Sequence, residues 1–316
     1  MKLKLSIRNL LSLLSVVALM LIMSGCSTTV KENDLTELGL LGKVKSYRSF
    51  EFNAVDKFGN IEKGDRVKWS TSMHVIFNKE GYKEEENEYD HDGDLELKKL
   101  YKYDDNWNKS EMDYYNPDGS LLSKWIYKYD ENHNMTEESS YKSDGRLDDK
   151  YSYKYDEKGN LIEVDNYNAN GSLYRKYLRK YDDRNNLIER SVYKTNGELS
   201  SKTTYKYDKS NRMIEFAEYG ASGKIEGKTA YEYDGNDNAA GERKYETNGS
   251  LEYRLTYEYD DKNNMIAGKY FNPDGSVLSR YKAEYEFDEK DNWIKYTSFI
   301  DGAPDTIYER EIEYFD

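Results

Sequence analysis

Along most of the chain, tyrosine, leucine and isoleucine alternate with charged or polar residues, and Gly, Asn and Asp interrupt the alternation at short, regular intervals. That alternation is the period of a half-buried strand, so the pattern predicts strands joined by tight turns. The pattern also repeats. A Tyr-x-Tyr-Asp landmark places Asp at 104, 130, 156, 182, 208, 234 and 260, a step of 26, then at 288 and 316, a step of 28. Gly93, Gly119, Gly145, Gly171, Gly197, Gly223, Gly249 and Gly275 keep the same spacing of 26. A fixed period of this length marks a repeat architecture.

Two kinds of turn connect the predicted strands. In Asp156-Glu-Lys-Gly-Asn160, Asp182-Asp-Arg-Asn-Asn186 and Asn168-Ala-Asn-Gly-Ser172, the fourth residue tolerates left-handed dihedrals. A type I turn followed by a one-residue bulge requires this. Pro117 and Pro273 stand at the first central turn position, where their fixed φ fits. Trp107, in the fourth position of its turn, breaks the rule. Each repeat then holds one strand over 160–168 and one over 172–182. Degenerate opening strands are expected at 43–53 and 67–78, separated by a loop over 54–66.

In this register Tyr155 lies across from Leu161 and Tyr167 across from Leu173. One face then gathers Leu161, Glu163, Tyr167, Leu173, Tyr177 and Tyr181. The other carries the column Lys98, Lys124, Lys150, Lys176, Lys202, Lys228, Arg254 and Arg280, with Ile162, Val164 and Ile188. Arg179 replaces the tyrosine found at Tyr127, Tyr153, Tyr205, Tyr231 and Tyr257 and faces Glu189, as Tyr153 faces Glu163. The expectation is a cross-strand ion pair between Arg179 and Glu189 on the tyrosine face.

The ladder shifts by two residues for every two strands, a tilt of roughly 35°. About 16 to 18 strands closed at that tilt enclose a lumen of about 30 Å, more than tyrosines fill. The predicted fold is therefore an all-β antiparallel meander forming an open, coiled or spiralling sheet.

The ends and the composition narrow the class. Lys2, Lys4 and Arg8, an apolar run from Leu10 to Met23, and Ser24-Gly25-Cys26 read as a secretory signal. Cys26 is the only cysteine, so an internal disulfide is excluded. The formal charge of 47 minus 61 is -14, and loss of three basic signal residues leaves -17. Nucleic acid is an unfavourable partner for such a chain. Mean hydropathy is -1.04, yet 33 tyrosines are too many for a disordered acidic chain.

Small residues before Cys26 resemble the bacterial lipobox, with Met23 where the pattern usually has Leu. The resemblance implies lipidation of Cys26, cleavage before it and a membrane anchor, and Ser27 favours the outer membrane of a diderm cell. The organisation expected is a signal at 1–25, a tether at 26–42 and a repeat domain at 43–316.

Tyr155-Asp-Glu-Lys-Gly-Asn-Leu161, with its recurring Tyr-Asp, resembles the YD repeat of the Rhs-type family over about 75–316. That family's repeats build spiral β-sheet shells. The chain ends on a repeat, unlike the large Rhs toxins, and is similar to the small YD-repeat lipoproteins of Bacteroidota, for which the resemblance implies an interaction role and no activity.

Signals for catalysis are thin. His74, His91 and His133 form no nucleophile-base motif, and the recurring Glu111, Glu137, Glu163, Glu189 and Glu215 read as a structural ladder, not paired catalytic acids. Asp90, Asp92 and Asp94 are the best metal candidates, but their glycine is the repeat glycine. No enzyme activity and no cofactor are expected. The functional expectation is an envelope-anchored surface that holds a glycan or a partner protein on Tyr127, Tyr153, Tyr155, Tyr177, Tyr181, Tyr205, Tyr207, Tyr231 and Tyr257. The alternative is a structural or assembly lipoprotein with no small ligand.

Overall fold

The computed structural model describes residues 33–316. The signal at 1–25, Cys26 and 27–32 lie outside the described residues. A one-turn helix α1 (Asp34–Glu37) precedes 21 strands. They are β1 (Val44–Lys57), β2 (Asn60–Arg66), β3 (Ser72–Phe77), β4 (Lys83–Tyr89), β5 (Leu95–Tyr103), β6 (Lys109–Tyr115) and β7 (Leu121–Tyr129). There follow β8 (Met135–Lys142), β9 (Leu147–Tyr155), β10 (Leu161–Asn168), β11 (Leu173–Tyr181), β12 (Leu187–Lys194), β13 (Leu199–Tyr207) and β14 (Met213–Gly220). The last seven are β15 (Ile225–Tyr233), β16 (Ala239–Tyr245), β17 (Leu251–Tyr259), β18 (Met265–Phe271), β19 (Val277–Phe287), β20 (Trp293–Ile300) and β21 (Ala303–Tyr314). The segment expected as a loop over 54–66 is instead a hairpin, in which β1 runs on to Lys57 and turns back into β2.

The meander closes. β1 pairs with β3 through Ser46–Ser49 and with β21 through Val44–Asn53, so it serves both ends of the sheet. The result is a closed 20-strand barrel, with β2 as a side hairpin, and not the open sheet of 16–18 strands. The expectation failed because it asked tyrosines to fill the lumen. What an antiparallel sheet needs is partners for its edge groups, and β1 supplies them.

The turns form as read. Gly159, Asn185, Asn211, Asp237 and Asn263 have positive φ, as do Gly93, Gly119, Gly145 and Gly171. Trp107 also adopts φ 61, and its ring stacks on Tyr82 with centroids 5.0 Å apart. Ring stacking thus holds an indole where the equivalent turns carry Gly, Asn, Asp or His.

The register departs from expectation by one residue per strand. Tyr155 pairs with Leu161, but the next pair is Lys154 with Glu163, so Ile162 is an extra residue. Likewise Tyr167 pairs with Leu173 and Asn166 with Arg175, leaving Tyr174 over. A bulge therefore follows the first residue of strand after strand, bending and twisting the sheet. It leaves Leu122, Tyr174, Ile188 and Ile214 exposed. It also moves the glutamate column to the lysine face and brings Val164 to the tyrosine face, opposite Tyr153. Tyr167 moves the other way and pairs with Lys150.

The main apolar cluster sits at the seam of the ring. Leu35, Leu40, Val44, Tyr47, Val75 and Phe77 are buried together, with Leu38, Met73, Ile312 and Tyr314 against them. The segment before β1 is tied across this rim at both ends. Leu35 N donates to Gly81 O, and Asn292 exchanges hydrogen bonds of 2.7 and 2.9 Å with the Leu41 backbone.

Candidate functional site

The two faces of the wall differ in chemistry and in water access. On the outer face each glutamate of the column lies between two lysines. Glu163 meets Lys154 at 2.6 Å and Lys176 at 2.9 Å, and Glu137 meets Lys128 at 2.7 Å and Lys150 at 2.5 Å. These two lysines hold the Glu163 carboxyl down at about 2. The lysine heads stay in water, the Lys154 side chain being 62% exposed.

The tyrosine face turns inward. Burial pushes the hydroxyls of Tyr129, Tyr207, Tyr233, Tyr259 and Tyr285 up to about 12. A ring of 20 strands at this tilt leaves about 35 Å between opposing backbones. The ring–ring contacts found along the inner wall, such as Phe216 with Tyr231, Tyr253 with Tyr270 and Tyr296 with Tyr308, join neighbouring strands.

Three kinds of position make up this wall. At the end of each long strand a tyrosine hydroxyl donates to the carbonyl of the residue twenty positions earlier: Tyr155 to Met135, Tyr181 to Leu161 and Tyr207 to Leu187, at 2.8, 2.8 and 2.9 Å. The pairing of β10 with β11 begins at Glu163, so Leu161 O lies beyond the ladder and takes a phenol in place of a strand partner. Two residues before that tyrosine, Tyr127 and Tyr257 are buried, whereas Tyr153, Tyr205 and Tyr231 are half-buried. Tyr177 is half-buried one pair further along β11. The third kind is polar. Tyrosine hydroxyls do meet carboxylates, but on the inner Glu86, Glu138 and Glu242: Tyr153 donates to Glu138 at 2.8 Å and Tyr253 to Glu242 at 3.0 Å. Burial raises the Glu242 carboxyl above its usual range.

The expected Arg179–Glu189 pair does not form. Arg179 lies opposite Arg190, while Glu189 lies opposite Lys180 and pairs with it at 2.8 Å on the outer face. The bulge at Ile188 is the cause, since one extra residue exchanges the partners and the faces.

Sequence reasoning also missed a clasp between turns. Asn186 Nδ2 donates to Asn211 Oδ1 at 3.1 Å, Asn238 to Asn263 at 2.9 Å, and Arg212 to Asp237 at 2.8 Å. Each acceptor occupies the left-handed turn position, so that position does more than permit the turn. The signal lies in the pairing of residue types 25 apart, Asn186 with Asn211 and Asn238 with Asn263 but Arg212 with Asp237.

Asp90, His91 and Asp92 bring ligand atoms within 4.8 Å of one another, but Asp90 Oδ1 accepts from the Asp92 and Asp94 amides, and this serves the turn. His133 takes the left-handed turn position and sits 3.3 Å from Asn108 Nδ2.

No protein-family model matches the chain, and no curated protein does. Among solved structures, the TcdB2-TccC3-Cdc42 crystal structure matches 79% of this chain at 12% identity and TM-score 0.33, and the chain spans only 16% of that one. A porin-like protein from Bacteroides uniformis matches at 10% identity and TM-score 0.36, covering 85% of this chain and 96% of that one. A second, from Bacteroides vulgatus, gives 11% identity, 86% and 98% coverage and TM-score 0.26. At such identities and scores no role passes from these structures to this chain.

Proposed function

We propose that the protein is an envelope lipoprotein, anchored through Cys26, whose tyrosine-lined lumen binds an extended glycan. The observation that carries this reading is the state of the inner wall. Tyr153, Tyr155, Tyr177, Tyr181, Tyr205, Tyr207 and Tyr231 keep part of each ring open to the lumen. Aromatic faces of that kind supply rigid, amphipathic area for sugar rings. The outer belt of lysine and glutamate suits a barrel standing in water, since a lipid-facing band is apolar.

The test uses residues 27–316 on a glycan array with Tyr153→Ala/Tyr205→Ala as the comparison. Binding that the double variant loses supports the reading, and an array without signal removes it. Acyl-chain labelling of the full-length chain, abolished by Cys26→Ser, tests the anchor. A second reading, a structural lipoprotein of the YD-repeat kind, draws on the hydroxyl ladder, which commits a whole row of tyrosines to holding the wall together. Pull-down of an envelope protein in the absence of any glycan signal favours it.

A further inference from the structure

Two pairs of like charges face each other across β11 and β12 on the inner wall: Arg179 opposite Arg190, and Arg175 opposite Lys194, with Tyr177 and Val192 between them. Like charges directly opposite destabilise a sheet. Neighbouring repeats avoid the arrangement. Tyr153 and Tyr205 hold the place of Arg179, Val164 and Phe216 that of Arg190, and Asp149 and Ser201 that of Arg175. The fold therefore does not need arginine at these positions.

Nor does the chain neutralise them, although it is acidic overall. Among the described residues neither Arg179 nor Arg190 has an ion-pair partner, and Arg179 Nε is buried without a hydrogen bond. Lys194 alone reaches a carboxylate, Glu198 at 3.6 Å in its own turn. Arg190 lies over the Tyr177 ring at 5.3 Å and is exposed to the lumen.

We infer that this patch is an anion site, and that the glycan taken by the lumen carries carboxylates. The inference rests on the glycan reading above. The guanidinium pair offers planar forks suited to a carboxylate. The second cationic pair lies four residues along β11, about 13 Å away, with Tyr177 between. A sugar chain with acidic groups at both ends of a stacked segment meets all three features.

The test is calorimetric titration of the wild type with a linear galacturonate oligomer and with its methyl ester, which keeps the sugars and removes the charge. Arg179→Gln/Arg190→Gln is the test variant, and Lys202→Gln, on the outer belt, is the control. We expect the acid to bind wild type and the Lys202 control alike, to weaken with salt, and to bind the double variant at least about tenfold more weakly. The double variant should also melt higher, because a repulsion has been removed. Acid binding equal in wild type and double variant overturns the anion site. Equal binding of acid and ester by the wild type overturns it too, but leaves the glycan reading standing. Binding of neither removes both. A sulfated oligomer preferred over the galacturonate overturns the carboxylate assignment. A lowered melting temperature with unchanged acid binding assigns the arginines to the fold and overturns the proposal.

Discussion

Tyr181 Oη donates to the backbone carbonyl of Leu161 at 2.8 Å, joining the end of one long strand to the start of the strand before it. The same bond recurs from Tyr129 to Lys109 and from Tyr259 to Ala239, both at 2.9 Å. Removing the donor leaves a carbonyl without a ladder partner. Tyr181→Phe should therefore cost about 1 kcal/mol, read as a lower urea midpoint at unchanged slope. An unchanged midpoint means that water replaces the phenol at no cost.

The same row sets an alkaline limit. Folding raises these hydroxyls from 10.0 to about 12 at Tyr207, Tyr233 and Tyr259. A raised value stabilises the fold in full below 10, and the contribution is lost as pH rises through about 12. Melting temperature should fall across that window while phenolate absorbance rises. Phenolate absorbance that rises fully before any unfolding would show that the row is not desolvated.

The outer belt sets the acid limit. Glu163 falls from 4.5 to about 2 between Lys154 and Lys176. A depressed carboxylate stabilises above the unfolded value, and the contribution is lost as pH drops from about 4.5 through about 2. The lysine heads are solvated, so the pair is worth only about 0.2 to 1 kcal/mol. Glu163→Gln should flatten the acid limb of the melting curve slightly and leave neutral stability within about 1 kcal/mol. A variant indistinguishable from wild type at every acid pH assigns the belt to solubility alone.

Gly171 has φ +78 with open space where a Cβ would stand. Its substitution therefore reports backbone strain and nothing else. Gly171→Val should cost about 1 kcal/mol or more, and Gly171→Asn less, because Asn tolerates this conformation. Equal cost for the two sinks the assignment.

Phe77, 1% exposed in the seam cluster, tests the closure. Phe77→Ala should cost about 3 to 5 kcal/mol, with hydrogen exchange rising first in β1, β3 and β21. Exchange rising uniformly around the ring would show that the seam is not a local unit.

Much of this architecture is legible in the chain. The repeat, the strand positions and the left-handed residue of each turn follow from Tyr-Asp, Gly and Asn spacing, and the pairs Tyr155–Leu161 and Tyr167–Leu173 hold. The bulge at Ile162 or Ile188 is not legible, because an isoleucine there reads as an ordinary strand residue. Missing it exchanges the partners of Glu163 and Glu189 and hides the arginines' facing arrangement. Closure was hidden for another reason. The degenerate first strand carries no landmark that advertises its second partner.

The pairing of Val44 with Tyr314 has a consequence for assembly. The other ring pairs that run from β3 to β21 join strands adjacent in sequence, so hairpins form locally and add one after another. Bringing β1 to β21 instead closes a loop of nearly the whole described chain, the entropically slowest contact in the molecule. Until that contact forms, β21 and the edge of β1 that meets it each present a bare row of amides and carbonyls. The barrel's most hazardous moment is thus its last step, when two copies with bare edges could zip to each other as readily as each closes on itself.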